Sequence, residues 1–238
     1  MGRNIAMIAA LYVLPDGPYV GLDGVDPWPE SRDARCYAGP HPVVAHPPCA
    51  RWGRYWFGGP SVKVRRKLGD DGGCFAAAVA SVRRWGGVLE HPEASHAWKA
   101  FGIAHPPKSG GWVRAGLFSP GYTCCVEQGH YGHEARKATW LYVVGVSRDR
   151  LPNLTWGKAR GRIRLDSGFH SAKERRAAKA AGYRPGPRLS ARTRKLTPEP
   201  FRDVLLGIAR SVVTRKPDAA GSIERARHAC DAPGSYNL

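Results

Sequence analysis

Three short segments of this 238-residue chain carry side chains that could together make an aromatic ring reactive. Ala45-His46-Pro47-Pro48-Cys49 supplies a thiol. Gly87-Val88-Leu89-Glu90-His91-Pro92 supplies a carboxylate. The stretch from Gln128 to Lys137 ends in two cations, Arg136 and Lys137. A thiolate is a strong nucleophile that its surroundings can activate. Added to C6 of a pyrimidine, it saturates the 5,6-bond and leaves C5 carbanion-like, ready for an electrophile. Glu90 would hydrogen-bond the ring's N3 and exocyclic amine; donating a proton there requires burial to raise its pKa. Arg136 would bond the base O2 or an adjacent phosphate through its planar fork. Each residue also has a plain structural reading. Cys49 reads equally as a small core residue, Glu90 as a surface partner of Arg83, Arg84, His91 or His96, and Arg136 as a solvated turn cation. Finding all three in one chain is what favours chemistry.

Further candidates surround these. Arg54 lies in a Gly-flanked loop, Gly53 to Gly59, and Arg51 and Trp52 just before it; from Trp52 to Phe57 cations and aromatics interleave, a pattern suited to stacking on an extruded base or equally to anchoring the loop. His133 and Lys137 extend the basic loop. The six cysteines are scattered, with Cys124 and Cys125 adjacent, which fits free thiols in a reducing cytoplasm rather than a disulfide framework. His46 and Cys49, like His130 and His133, are spaced for a metal, but no Cys-x-x-Cys pair occurs and no metal is expected. The zinc deaminase signature is absent as well.

The elements that must position these groups follow from the pattern. Asn4 to Val13 reads as a buried first strand, since Pro15 and Asp16 stand where a signal peptide would be cleaved. A loop spans Leu14 to Pro29, and Glu30 to Tyr37 reads as a short helix. Pro42 to Ala45 is a strand that Pro47 and Pro48 must end, leaving Cys49 on the loop beyond it, where ligands bind in open α/β sheets. The 3.6-residue spacing of Phe75, Val79, Val82 and Trp85 predicts a helix over 74–85, capped by Gly86 and Gly87. A strand at 88–90, a helix at 93–101, and strands at 122–127 and 139–146 follow. This alternation predicts an α/β fold with a mainly parallel sheet. Thr197 as N-cap and Pro198 at the first position predict a last helix with an apolar stripe of Phe201, Val204, Leu205, Ile208 and Val212.

A 42% hydrophobic content with eight Trp predicts a folded globule, and no apolar run approaches the roughly 20 residues of a membrane span. The net charge is +18, unevenly spread: residues 1–144 carry 16 basic and 11 acidic side chains, residues 145–238 carry 21 and 8. The C-terminal third therefore predicts a polyanion partner, DNA, bound largely by counterion release. The expected organisation is a catalytic domain over 1–150, a basic, partly disordered nucleic-acid-binding segment over 151–196, and a helix and tail over 197–238 that pack on the body.

Taken in order, the three segments resemble the DNA (cytosine-5) methyltransferase family, in a reduced form similar to small phage-encoded proteins. Pro47-Pro48-Cys49 resembles its catalytic loop. Leu89-Glu90-His91-Pro92 resembles its Glu-Asn-Val strand, with His91-Pro92 replacing Asn-Val. Tyr131-Gly132 through Arg136 to Gly145 resembles its later Tyr-Gly and arginine segment, and Lys195 to Glu199 faintly resembles its last motif. The resemblance covers residues 40–150 and implies a reduced Rossmann-like, methyltransferase-type sheet with a basic C-terminal extension. It implies Cys49 as nucleophile, Glu90 as the carboxylate that protonates or holds the base, Arg136 as a base or intermediate contact, and a cytoplasmic location, that of the host cell for a phage protein. It also implies S-adenosylmethionine as carbon donor. The family's Phe-x-Gly-x-Gly-Gly loop has no counterpart, because Leu14-Pro15-Asp16-Gly17-Pro18 follows the first strand; Asp23 and Asp26 are candidates for the ribose-binding acid. Two other readings stay open: a catalytically inactive DNA-binding relative, and an amino-group methyltransferase, against which Cys49 and His46 stand at the aromatic and acid positions of its loop.

Overall fold

The computed structural model describes residues 6–58, 66–160, 163, 165, 172–183 and 189–213. Seven strands form one sheet in the order β2-β1-β3-β4-β7-β6-β5. They are β1 (Ile8–Leu11), β2 (Val25–Trp28), β3 (Val43–Ala45), β4 (Gly87–Pro92), β5 (Val113–Arg114), β6 (Tyr122–Glu127) and β7 (Ala138–Val144). The pairings among β2, β1, β3 and β4 are parallel, and those among β4, β7, β6 and β5 antiparallel. The fold is thus α/β with a mixed sheet, in which the parallel half carries the elements that end at the cysteine and glutamate segments.

Successive side chains on a strand face opposite sides, and here both sides are buried. Ala9, Leu11, Val43, Ala45, Leu89, Trp140 and Tyr142 join one core with Phe75, Val79 and Val82 of α1 (Cys74–Trp85). Ile8, Ala10, Val44, Val88, Leu141 and Val143 join the other, with Phe201, Leu205 and Ile208 of α5 (Glu199–Arg210). That two-faced burial is why the strands read as continuous apolar runs. The helix expected to pack back on the body does so, although Pro198, one residue later than expected, is its N-cap.

Several expectations are corrected. The loop from Leu14 to Pro29 contains strand β2, whose Asp26 and Pro27 weaken the apolar signal. The helix expected over 30–37 is two 3-10 turns, Glu30–Arg32 and Ala34–Cys36, broken at Asp33, which has φ 43°. Cys36 is disulfide-bonded, whereas Cys49, Cys74, Cys124 and Cys125 are free thiols. In the basic segment, α3 (Ala172–Ala180) and the short α4 (Ala191–Lys195) are helical; the expected disorder falls in part on residues outside the description. One further helix, α2 (His96–Ala100), is shorter than the expected 93–101.

Candidate active site

Gly87 shows how tightly β4 is set. Its φ is 120°, and a Cβ there would lie 1.9 Å from the Val43 carbonyl oxygen. Only glycine allows this approach, which brings β4 alongside β3 and carries Glu90 to the carboxyl edge of the parallel strands. At that edge β1 runs into Tyr12 and Val13, and β3 into His46-Pro47-Pro48-Cys49. Lys137 enters from the other direction, as the residue before antiparallel β7. These groups line one cavity of about 410 Å3, with Tyr19, Tyr55 and His91 also on its wall. The cavity lies where the chain order reverses between β1 and β3, the usual ligand position in such sheets.

Glu90 is the best-tied group in the cavity. Its Oε2 accepts from His46 Nδ1 at 2.9 Å; its Oε1 accepts from Gln128 Nε2 and Thr139 Oγ1, each at 3.0 Å. Thr139 reaches it because β7 pairs with β4 in register, Thr139 beside Pro92. Burial pushes the carboxyl up, but the His46 hydrogen bond, the charge of Lys137 and those of His46 and His91 when protonated outweigh it and hold it at about 2. The raised pKa that proton donation by Glu90 requires is not found: at neutral pH it is a carboxylate that accepts hydrogen bonds and donates none.

His46 links Glu90 to Tyr19, whose hydroxyl lies 2.8 Å from Nε2. With Nδ1–H donating to Glu90, His46 Nε2 is left to accept from the Tyr19 hydroxyl, so all three groups are satisfied. Burial, then the Glu90 charge, raises the Tyr19 pKa well above the ordinary value, which keeps that hydroxyl protonated. Tyr19, His46 and Glu90 thus form a hydrogen-bonded chain along the cavity wall.

Cys49 follows the two prolines, and its carbonyl accepts from the backbone N–H groups of Trp52 and Gly53, which fixes the loop. The residue is open to the cavity but crowded on its other sides. That crowding first, then the Glu90 charge, raises its thiol pKa, while its own backbone N–H and the charges of Lys137 and Lys195 pull the other way. Lys137 donates from Nζ to the Leu196 carbonyl at 2.7 Å. Burial lowers its pKa, and the Glu90 and Cys49 charges oppose that shift. His91, at 1% exposure, packs edge-on to Phe75 and stacks on Trp98, with no hydrogen-bond partner for either ring nitrogen among the described residues. Its pKa falls to about 4, chiefly through burial, so it is neutral.

Other expected site residues lie elsewhere. Arg136 points outward and pairs with Glu127, its Nε donating to Oε2 at 2.9 Å. Trp52 is buried: its indole donates to Asp71 at 2.8 Å and its ring packs on Phe75 and Phe101, which removes it from stacking on a ligand. Arg54 is exposed, Arg51 half-buried, and neither lines the cavity. His133 lines a separate open groove with Asp16, Arg192 and Glu199. Among the described residues no group of three or more His, Cys, Asp or Glu could hold a metal ion, and no helix is long and apolar enough to cross a membrane. The sequence reading gave no base-directed role to Tyr19, His46, Gln128 or Thr139. His46 carried a local signal, three residues before Cys49 on the same proline-terminated strand end; Tyr19 carried none. No protein-family model, curated protein or solved structure matches the chain.

Proposed function

We propose that this protein modifies a pyrimidine base of DNA, cytosine in the first instance, at C5 through a covalent bond between Cys49 Sγ and C6. The observation that carries this reading is the meeting of the Cys49 thiol, the Glu90 carboxylate and the Lys137 ammonium in one cavity. Sγ attacks C6 as the thiol proton passes to Tyr19, and Tyr19 hands its own to His46, which Glu90 stabilises as imidazolium. The electron pair displaced from the 5,6-bond spreads over the ring, and Lys137 offsets that charge. C5 takes a carbon electrophile, whose leaving group departs with the rest of the donor; the C5 proton then passes to solvent, the ring double bond re-forms, and Sγ is expelled as a thiolate that regains its proton from His46 through Tyr19. Glu90 accepts a hydrogen bond from the exocyclic amine. Lys137 carries the cationic role at the base, which leaves Arg136 a phosphate-facing one.

The sheet is compatible with a reduced methyltransferase-type Rossmann architecture, with its reversed strand β7 between β4 and β6. The basic segment 151–196 then serves as the DNA-binding part of a cytoplasmic enzyme. S-adenosylmethionine fits poorly. β1 is followed by turns through Pro15, Gly17 and Pro18 rather than a helix, and both oxygens of Asp26 are engaged, by Trp28 and Arg32. No step is therefore derived through that cofactor, and the carbon donor is the open variable of the proposal.

The test is incubation with an oligonucleotide carrying 5-fluorocytosine, with and without S-adenosylmethionine, followed by intact-protein mass. Fluorine at C5 blocks release once a group has been transferred. An adduct that carries a methyl and vanishes in Cys49→Ala identifies a methyltransferase; an adduct formed without S-adenosylmethionine identifies other C5 chemistry. DNA binding with no adduct under any condition overturns the enzymatic reading. It would favour a non-catalytic DNA-binding protein, a reading that the raised Cys49 thiol pKa supports.

A further inference from the structure

The cavity has a wall that catalysis as described does not use. Ala191, Arg194, Lys195, Leu196 and Thr197, from α4 and the strap that follows it, close one side. Two ties hold this strap to the body, and a cap fixes its own first turn. Arg192 pairs with Asp16 at 2.5 Å, Lys137 donates to the Leu196 carbonyl, and Ser190 caps α4 by accepting from Thr193 N–H. The strap brings two cations, Arg194 and Lys195, to the same space as Cys49.

The charges there do not cancel. Glu90 is the cavity's one carboxylate among the described residues, and it is already engaged by His46 and faces Lys137. Arg194 has no carboxylate partner among the described residues. Arg194 therefore brings to that wall a positive charge that no described carboxylate pairs, and an arginine fork beside a lysine is suited to phosphate oxygens. The volume of about 410 Å3 suits one small ligand, not a stacked duplex. A base reaching Cys49 must then come singly, extruded from a strand or as a free nucleotide.

We infer that Arg194 and Lys195 form a phosphate site, and that the cavity takes a single pyrimidine nucleotide with its base at Cys49 and its phosphate on the strap. This rests on the proposed function for the base end only; the phosphate end stands on the strap's own geometry and charge. The shared chemistry is a nucleotide phosphate, supplied by a mononucleotide or by a nucleic-acid strand.

The experiment reads occupancy rather than turnover. Alkylation of Cys49 by iodoacetamide is followed by peptide mass in the full chain. The reading is the protection ratio, the rate without ligand over the rate with it, which cancels any change in thiol reactivity. The probes are deoxycytidine, its 5′-monophosphate, inorganic phosphate and a cytosine-containing single-stranded oligonucleotide. The proteins are wild type, Arg194→Ala with Lys195→Ala, and the conservative Arg194→Lys with Lys195 kept. The phosphorylated probe should bind wild type about tenfold or more tightly than the nucleoside. The double variant should lose that preference, and Arg194→Lys should retain part of it. Protection by the oligonucleotide alone would support the same site and name a strand as the phosphate source. Equal protection by nucleoside and nucleotide, or a preference that survives in the double variant, would overturn the phosphate site and leave the base pocket standing. Failure of every probe to protect Cys49 would overturn both.

Discussion

At the scale of single residues, two buried groups make acid sensitivity a property of the site. Glu90 is an ordinary carboxylate when unfolded, with a pKa near about 4.3, and falls to about 2 when folded. Its contribution is complete above the unfolded pKa and is lost as pH falls through the folded one, on the order of a few kcal/mol. His91 titrates near about 6.5 when unfolded and at about 4 when folded. It too has a depressed folded pKa, so its stabilising effect is full above the unfolded value and disappears as pH falls toward the folded one. Stability should therefore decline in two stages, between about 6.5 and 4 from His91 and between about 4.3 and 2 from Glu90. Because neither ring nitrogen of His91 makes a well-formed hydrogen bond among the described residues, an apolar side chain of similar volume gives up only a weak contact with the Pro48 backbone. His91→Leu should remove the upper stage and keep the lower, as read by urea midpoints across pH. An unchanged upper stage would mean that His91 is not the buried neutral group described.

The elements explain which parts were legible beforehand. Helix α1 runs from Cys74 to Trp85, the span its periodicity predicts, because one face meets the sheet and the other meets water. Strands β1, β3, β6 and β7 were visible as apolar runs bounded by prolines or glycines. Strand β2 was hidden, because an edge strand with Asp26 and Pro27 buries little. The site was legible only by halves. Cys49 and Glu90 stood out by residue type, but the choice between Arg136 and Lys137 depended on the direction of two adjacent side chains, and Lys137 has φ 42°, a local turn that the sequence does not announce. Tyr19 joins His46 across 27 positions, a closure that no local pattern encodes. The tight approach of β3 and β4 yields a prediction at this scale. In Gly87→Ala the methyl would meet the Val43 backbone at 1.9 Å with φ at 120°, so both a clash and a strained backbone arise. The expected loss is about 3 kcal/mol or more, visible as a fall in Tm of several degrees. A loss below about 1 kcal/mol would show that β4 shifts freely and that Glu90 is not held as described.

Over the whole molecule, charge and chemistry are separated along the chain, and α4 brings two of the later cations, Arg194 and Lys195, to the cavity. The near-balanced first part builds the sheet and the cavity, whereas α3 displays Lys173, Arg175, Arg176 and Lys179 on an exposed surface. α4 comes after that basic region in the chain and lines the cavity, and α5 anchors the strap's far end in the core beneath β1, β3 and β4. An extended polyanion held by the basic region would thus have one of its units delivered to Cys49. If that is the arrangement, affinity for DNA should fall linearly with the logarithm of salt, with a slope near 0.9 for each phosphate neutralised. Replacing the four α3 cations by Gln should flatten the slope by up to about 4 if each meets a phosphate. Replacing Lys99 and Lys108, exposed cations on the body, should leave it nearly unchanged. Fluorescence anisotropy with a labelled oligonucleotide over a series of salt concentrations measures both. Equal slopes for the two sets would mean that the excess charge acts only as a diffuse field. In that case the path from basic region to cavity would lose its physical basis, even if Cys49 remained the reactive thiol.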